Sequence, residues 1–382
     1  MGKGSCAGSA GATVGVEQEF LLIDRATRRP VPRGPQVREL AGRYTDLDVQ
    51  LELTPYQVET ATAVCGAVAQ LGAQLDRGRV LLAEAAERAG CRLLASALPP
   101  VGRAGAPPGA PVKRYQRIIQ EHRGLVRGQG VCGCHVHVGV ADRDCAVQIS
   151  NHIRPWLPVL LALSANSPLQ DGVDTGYASW RWMIWSHWPV AGPPPYLASA
   201  AEHDRLVRML ISTGALLDAA MVYWDVRLSP HLPTVEVRVA DVPLTTAEAE
   251  LLAVLVRALV VVAAEDVRHG RSAPPLPEAL LRAALWRAAR DGLDGAGVDP
   301  ATGRQYPAWE LVDRLVERVR PGLVEYGELA TAQRHLAFLR RHGNGAIRQR
   351  ALLRAGASAR EVVDFLLPAT LGHPEPDPQV TG

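Results

Sequence analysis

The chain has 382 residues, 47% of them apolar, and its 41 basic and 39 acidic side chains leave a formal charge of +2. That balance excludes a polybasic nucleic-acid or membrane-surface binder and describes a globular, enzyme-sized chain of one large domain or two ordinary ones. The apolar runs 251–264 and 156–165 are too short to span a bilayer, and the opening MGKGSCAGSAGA lacks the apolar core of a signal peptide, so a cytoplasmic protein is expected.

In chain order, residues 1–12 read as a flexible N-terminus. Residues 13–24 (TVGVEQEFLLID) alternate and predict a strand. Residues 49–61 read as a strand broken near Pro55, 62–89 as a helix stopping at Gly90, and 91–97 as a short strand. A Pro/Gly loop at 99–112 precedes a helix at 113–128 and a strand at 131–140. Helical spacing resumes at 146–165, with a break at Pro155 or Pro158, and again at 201–219 after the loop 190–197. Strands at 222–228 and 234–241 flank the turn Ser229–Pro233. From 246 the chain is helical, with loops at 271–277 and 291–307 and a disordered tail at 368–382. Strands gather in 13–242 and helices in 246–367 without a regular βαβ rhythm. This favours an α+β fold: one domain over 13–367, an antiparallel sheet with helices packed on one side.

The segment CGCHVHVG at 132–139 has the residue types of a zinc site. In a strand, however, alternate residues share a face. Cys132 and Cys134 point with Val136 and Val138, while His135 and His137 point with Gly133 and Gly139, so the four cannot chelate one ion. The six cysteines, at 6, 65, 91, 132, 134 and 145, are scattered and read as reduced thiols.

The same alternation recurs. Glu17 and Glu19 share a face opposite Val14, Val16 and Phe20; Gln57, Glu59 and Ala61 share one; Thr234, Glu236, Arg238 and Ala240 share one opposite Val235, Val237 and Val239. A solvated outer face of a half-buried sheet is the simpler explanation. Yet the polar positions are Glu, His and Arg rather than mixed Lys, Thr and Ser. If they line one concave surface, like charges about 4 Å apart repel by roughly 4 kcal/mol at an effective dielectric of 20, and the cluster needs a cation. Carboxylates with imidazole and no thiolate suit Mg²⁺ or Mn²⁺. Only Lys3 and Lys113 are lysine and no GxxxxGK[ST] loop exists, so phosphate would have to be held by arginine such as Arg238 and by a bound cation.

Several motifs in order then match a known family: GVEQEFLLID (15–24), QVETAT (57–62), HVHVGV (135–140), LLALSANSP (160–168), DTGYASWR (174–181) and WDVRLSPHLPTVEVRVADVPLT (224–245). Over residues 13–367 the chain resembles the glutamate–cysteine ligase type 2 family, the YbdK-like carboxylate–amine ligases. The resemblance implies a glutamine-synthetase-like funnel, a curved antiparallel sheet with helices outside. It implies ATP and Mg²⁺, a glutamate-like carboxylate activated as an acyl phosphate, and an amine that attacks it. It assigns Glu17, Glu19, Glu59, His135 and Glu236 to metal. It assigns Arg238 to the transferring phosphoryl group, Arg181 and Arg227 to phosphate or carboxylate, and His137 to a second-sphere or substrate contact. It admits a homodimer.

The chain departs from the family pattern at Pro55, at Ala95–Pro99, at Leu228 and at Pro233. The expected metal face is intact and its surroundings are changed, which points to a shifted substrate and away from cysteine as the amine. A metal-dependent amide or phosphate hydrolase, and a non-catalytic nucleotide- or amino-acid-binding protein, are the alternative readings. The tryptophan-rich stretch 180–188 reads as a core or interface cluster ahead of an amine pocket, and the helix 248–266 as packing, with Arg257 a surface or ion-pair residue.

Overall fold

The computed structural model describes residues 11–45, 47–104 and 112–372. Most of the expected N-terminal segment, the middle of the 99–112 loop, Cys6 and the tail from 373 lie outside these residues. The eleven strands among them, in chain order, are β1 (Val14–Asp24), β2 (Asp48–Leu51), β3 (Gln57–Ala61), β4 (Cys91–Leu94), β5 (Gly133–Gly139), β6 (Leu169–Gln170), β7 (Val173–Asp174), β8 (Val226–Leu228), β9 (Thr234–Asp241), β10 (Ala296–Asp299) and β11 (Arg304–Pro307).

Seven of these form one antiparallel sheet in the order β2-β3-β1-β5-β9-β8, with β4 pairing to the second half of β1. The expected α+β class holds. Alternation in β1 sends Val14, Val16, Gln18 and Phe20 to a buried face while Glu17 and Glu19 stay partly open. Every residue from Gly133 to Val138 is buried, because β5 is central and covered on both sides.

Helix Thr246–Arg268 carries most of the weight behind the sheet. Its start is fixed by a capping box between Thr245 and Glu248, and nearly all of its residues are buried. It packs against β5, against helices Val68–Arg88 and Arg143–Ile153, and against helix Ala308–Glu325. One apolar core lies there, beneath β1, β5 and β9. A second core joins the far half of β1, β4 and helix Ala359–Thr370. None of the described helices is long and apolar enough to cross a membrane.

Several expectations are corrected. The helix expected from 62 starts at Val68, because Thr62 and Cys65 spend their backbone groups pairing with Val16 and Val14 of β1. The helix expected over 201–219 ends at Ser212. The supposed loop 291–307 contains the β10–β11 hairpin. The short β6–β7 hairpin turns on Asp171–Gly172, both at positive φ, as an Asp-Gly pair does in the primed turn type. Helix Ala359–Thr370 runs past the expected tail boundary and carries Pro368 inside it. Of the two readings of Arg257, the ion pair holds and the surface position does not: it is 1% exposed and paired with the fully buried Glu328. The tryptophan-rich stretch forms helix Trp180–Trp185 and a packed aromatic group, with Trp185 and Trp188 both against Tyr223.

The face of β9 is also corrected. The β5–β9 register slips between Cys134 and Val136, placing Arg238 and Val239 opposite the single residue His135. This bulge shifts the phase of the strand. Ala240 therefore joins the core, and Asp241, paired with Gly133, takes the face expected for Ala240.

Candidate active site

The sheet register assembles the polar face directly. Glu17 lies opposite His135 across β1–β5, and Glu19 lies opposite Glu59 across β1–β3. His137 lies opposite Glu236 across β5–β9, and Glu236 lies opposite Arg227 across β9–β8. Directly paired side chains stand about 5 Å apart at Cβ, so this register alone forces a charged row across five strands.

Two groups of potential metal ligands result. In the first, one ligand atom each of Glu17, His135 and Glu236 lies within 4.8 Å of the others. In the second, Glu19, Glu52 and Glu59 do the same. The five expected ligands are therefore brought to one face but divided between two clusters. Glu52 was not singled out from the sequence. Its signal was present, since Asp48, Gln50 and Glu52 alternate, and Gln50 pairs with Glu59.

The first cluster is held by short contacts. His135 Nδ1 is 3.0 Å from Glu17 Oε2, and His135 Nε2 is 3.8 Å from Glu19 Oε1. His137 Nδ1 lies 2.9 Å from Thr234 Oγ1. Its Nε2 faces Glu17 Oε1 at 3.2 Å and Glu236 Oε1 at 3.9 Å, yet is buried without a hydrogen bond. Arg227 donates through Nε to Glu236 Oε2 at 2.7 Å and through Nη2 to Glu236 Oε1 at 3.1 Å. Its Nη1 donates to the carbonyls of Ala220 and Val222, both at 2.9 Å. Arg227 is thus fully engaged as the partner of Glu236. Arg238 contacts the same carboxylate and keeps a buried, unpartnered Nε.

Arg181 stands apart. Its Nη1 donates to the Val239 carbonyl at 3.3 Å and lies 3.8 Å from Asp241. Asp241 is held by the Asn166 amide and by the hydroxyls of Ser167 and Ser179. A Cβ built on Gly133 would collide with the Arg181 guanidinium, so the glycine lets Arg181 pack directly against β5. The neighbouring Gly133 amide donates to Glu19 Oε2 at 2.6 Å.

The electrostatics of the two clusters differ. Burial alone would raise the Glu17 carboxyl, but the imidazoles of His135 and His137 pull it well below the usual range. Burial would likewise raise Glu236, and the charges of Arg238 and Arg227 overcome it. In the second cluster burial wins. It raises Glu19, reinforced by the charge of Glu52. It pushes Glu59 well up, reinforced by a hydrogen bond to and the charge of Glu52 and by the charges of Glu17 and Glu19. Divalent cations fit this donor set: five carboxylates and imidazole, no thiolate, an orphaned imidazole nitrogen, and acids crowded beyond what they tolerate alone. Cys65, Cys91, Cys132 and Cys134 are buried and free, as expected of reduced thiols, whereas Cys145 is disulfide-bonded, which corrects that expectation at one position.

The family model described as glutamate-cysteine ligase family 2 matches residues 13–367. The chain belongs to that family. On this membership family 2 places the chain among the ATP-dependent ligases. A relative in Nocardia farcinica, provisionally named glutamate–cysteine ligase 2-1, is 48% identical over 97% of this chain and 96% of its own. Another, in Mycobacterium sp. strain KMS and provisionally named glutamate–cysteine ligase 2-2, is 48% identical over 95% of this chain and 100% of its own. Among solved structures, the glutamate–cysteine ligase of Francisella tularensis in complex with AMP superposes with a TM-score of 0.66 at 12% identity, covering 95% of this chain and 88% of that one. The ligase PafA, solved with the ubiquitin-like protein Pup, gives a TM-score of 0.53 at 13% identity, over 94% and 72% of the two chains. At those identities the likeness establishes for this family 2 chain its fold: an antiparallel sheet with its polar side turned to the site and helices behind.

Proposed function

We propose that this chain joins a glutamate-like carboxylate to an amine, activating the acid as an acyl phosphate with ATP as the second substrate. The observation that carries the reading is the split of the acidic face into two clusters, only one of which has arginines on it. Arg238 and Arg227 flank Glu236 in the first cluster, and phosphate groups need such guanidinium charge. The nucleotide end of the reaction belongs there. Among the described residues the second cluster, Glu19, Glu52 and Glu59, accepts no hydrogen bond from an arginine, and it suits the carboxylate end.

Mg²⁺ or Mn²⁺ would be held by Glu17, His135 and Glu236 on one side and by Glu19, Glu52 and Glu59 on the other. Bound there, such ions neutralise phosphate and carboxylate oxygens as they approach each other. Phosphoryl transfer then asks the protein for position and charge. Arg238 stabilises the charge that spreads on the transferring phosphoryl group. Arg227 fixes Glu236, and Thr234 fixes the His137 ring. A carboxylate oxygen of the acid bonds the γ-phosphorus as ADP leaves; the amine nitrogen then bonds the acyl carbon, phosphate leaves, and the amine proton goes to solvent. The AMP bound by the Francisella tularensis enzyme supports an adenine nucleotide as the phosphoryl donor.

The test is ADP release with product mass spectrometry, using ATP, Mg²⁺, glutamate and a mixed pool of amines. An ATP-dependent amide is expected. Hydrolysis of amides or phosphates without ATP would replace the reading with a hydrolase, and nucleotide binding without turnover would replace it with a binding protein.

A further inference from the structure

We propose that the cavity of about 290 Å³ beyond Val131 is a subsite for a carboxylate on the non-reacting end of a substrate. The proposal rests on the ligase reading, and it names the chemistry of a part of that site.

The cavity is separated from the second acid cluster by Gln57. Along β3 the polar face carries Glu59 and then Gln57. Gln57 Nε2 donates to the Val131 carbonyl at 2.6 Å, and a Cβ on Gly130 would lie 3.9 Å from Gln57 Oε1. Immediately before Val131, residues Arg127–Gly130 form one wall of the cavity. The loop through Arg103, Gln170 of β6 and the residues Ile184 and His187 form the others. A wall of the cavity thus approaches Gln57, which stands two residues before Glu59 on β3, at the end of the site given to the carboxylate.

Its chemistry is one-sided. Arg103, Arg127 and His187 line it, and among the described residues no aspartate or glutamate does. Arg103 meets Asp171 at 3.2 Å, but with 69% and 44% of the two side chains exposed the pair is a weak, water-screened one. The Arg127 side chain has no hydrogen bond or ion pair among the described residues. The two side-chain amide oxygens of the described wall are already engaged: Gln170 Oε1 takes the Trp180 indole N–H at 2.8 Å and Gln129 Oε1 takes that of Trp188 at 3.1 Å. What the remaining polar side chains offer is donors and positive charge around a space at the small end of ligand cavities. It suits a carboxylate on an amino-acid-sized group better than a nucleotide. Guanidinium pairs with carboxylate in a two-bond fork, which would fix the tail while the far end reacts.

Both substrates can carry such a carboxylate, so the test uses matched pairs. Glutamate against 4-aminobutyrate removes it from the acid, and cysteine against cysteamine removes it from the amine. Binding of each is measured by calorimetry to the full chain and to the double variant Arg103→Ala/Arg127→Ala, together with ATP binding and circular dichroism. Within at least one pair the carboxylate form should bind the parent about 10- to 100-fold tighter, the size expected for a charged hydrogen-bonded contact. That preference should vanish in the folded double variant while ATP affinity stays within twofold. The pair that discriminates names the substrate held there. Equal binding within both pairs, no binding of any of the four, or a preference that survives the double substitution would overturn the subsite. A variant that loses ATP affinity instead would make the cavity a nucleotide phosphate site. ADP release in the product assay, read separately, tests the ligase reading and can succeed whichever way the binding falls.

Discussion

Glu19 and Glu59 occupy directly opposed positions on β1 and β3, with Glu52 completing a cluster of three carboxylates whose ligand atoms lie within 4.8 Å of one another. Neighbouring strands give these side chains no room to separate. Glu59 is held well above the usual carboxylate range by burial first and then by Glu52.

Replacing Glu59→Gln keeps the shape and removes one charge from this cluster. In a chelator the variant should unfold at higher denaturant than the parent, by about 1–2 kcal/mol, the scale of a repulsion relieved at partly buried positions. Mg²⁺ should stabilise the parent by mass action and the variant far less. Equal Mg²⁺ stabilisation of both proteins would remove Glu59 from the metal set.

Arg238→Ala should fold normally and lose about 100- to 1000-fold in kcat, the usual cost of removing one donor to developing charge. Arg227→Ala should behave differently. It leaves Glu236 short of its two-bond partner and the 220–222 carbonyls without a donor, so both stability and activity should fall. Steady-state kinetics and urea unfolding on the two variants separate these roles.

Gly133→Ala tests the packing between β5 and Arg181. The added methyl collides with the guanidinium, so a loss of about 1–3 kcal/mol is expected from overpacking. Combining it with Arg181→Ala should recover part of the clash. A single Gly133→Ala variant as stable as the parent would show that Arg181 moves freely.

Asp225 supplies a pH-dependent term. Burial pushes its carboxyl up to about 7, against a hydrogen bond from Trp182 and the charges of Arg181, Arg282 and Arg238. A carboxyl raised in the folded state binds its proton more tightly there than when unfolded. Its contribution is therefore fully present below the unfolded value near 4 and is lost as pH climbs to about 7. Asp225→Asn removes that slope. Relative to the parent, the variant should gain stability between pH 4.5 and pH 8, by a few kcal/mol at most. A parent-minus-variant difference that does not change over this window would mean the group titrates normally.

The strands that carry the site were legible because period-two alternation of acids and β-branched residues has one structural meaning. Glu17, Glu19, His135, His137, Glu59 and Glu236 sit on the face that spacing implies. The same logic failed at β9, where one extra residue opposite His135 moved Ala240 into the core and brought Asp241 around. At Arg257 an ion pair was foreseen, but its partner Glu328 is 71 residues away and only the fold identifies it. The Asp171–Gly172 hairpin was readable and was missed, because two-residue strands leave no run to alternate.

Local chemistry thus determined the elements and their sidedness: which residues point together along one strand depends only on backbone geometry within that strand. The partition of six ligands into two clusters, the engagement of Arg227 with Glu236 and the donor-lined cavity past Val131 depend on register and packing between segments far apart in sequence. Those are set by how whole apolar faces bury against each other, and only the folded arrangement decides them.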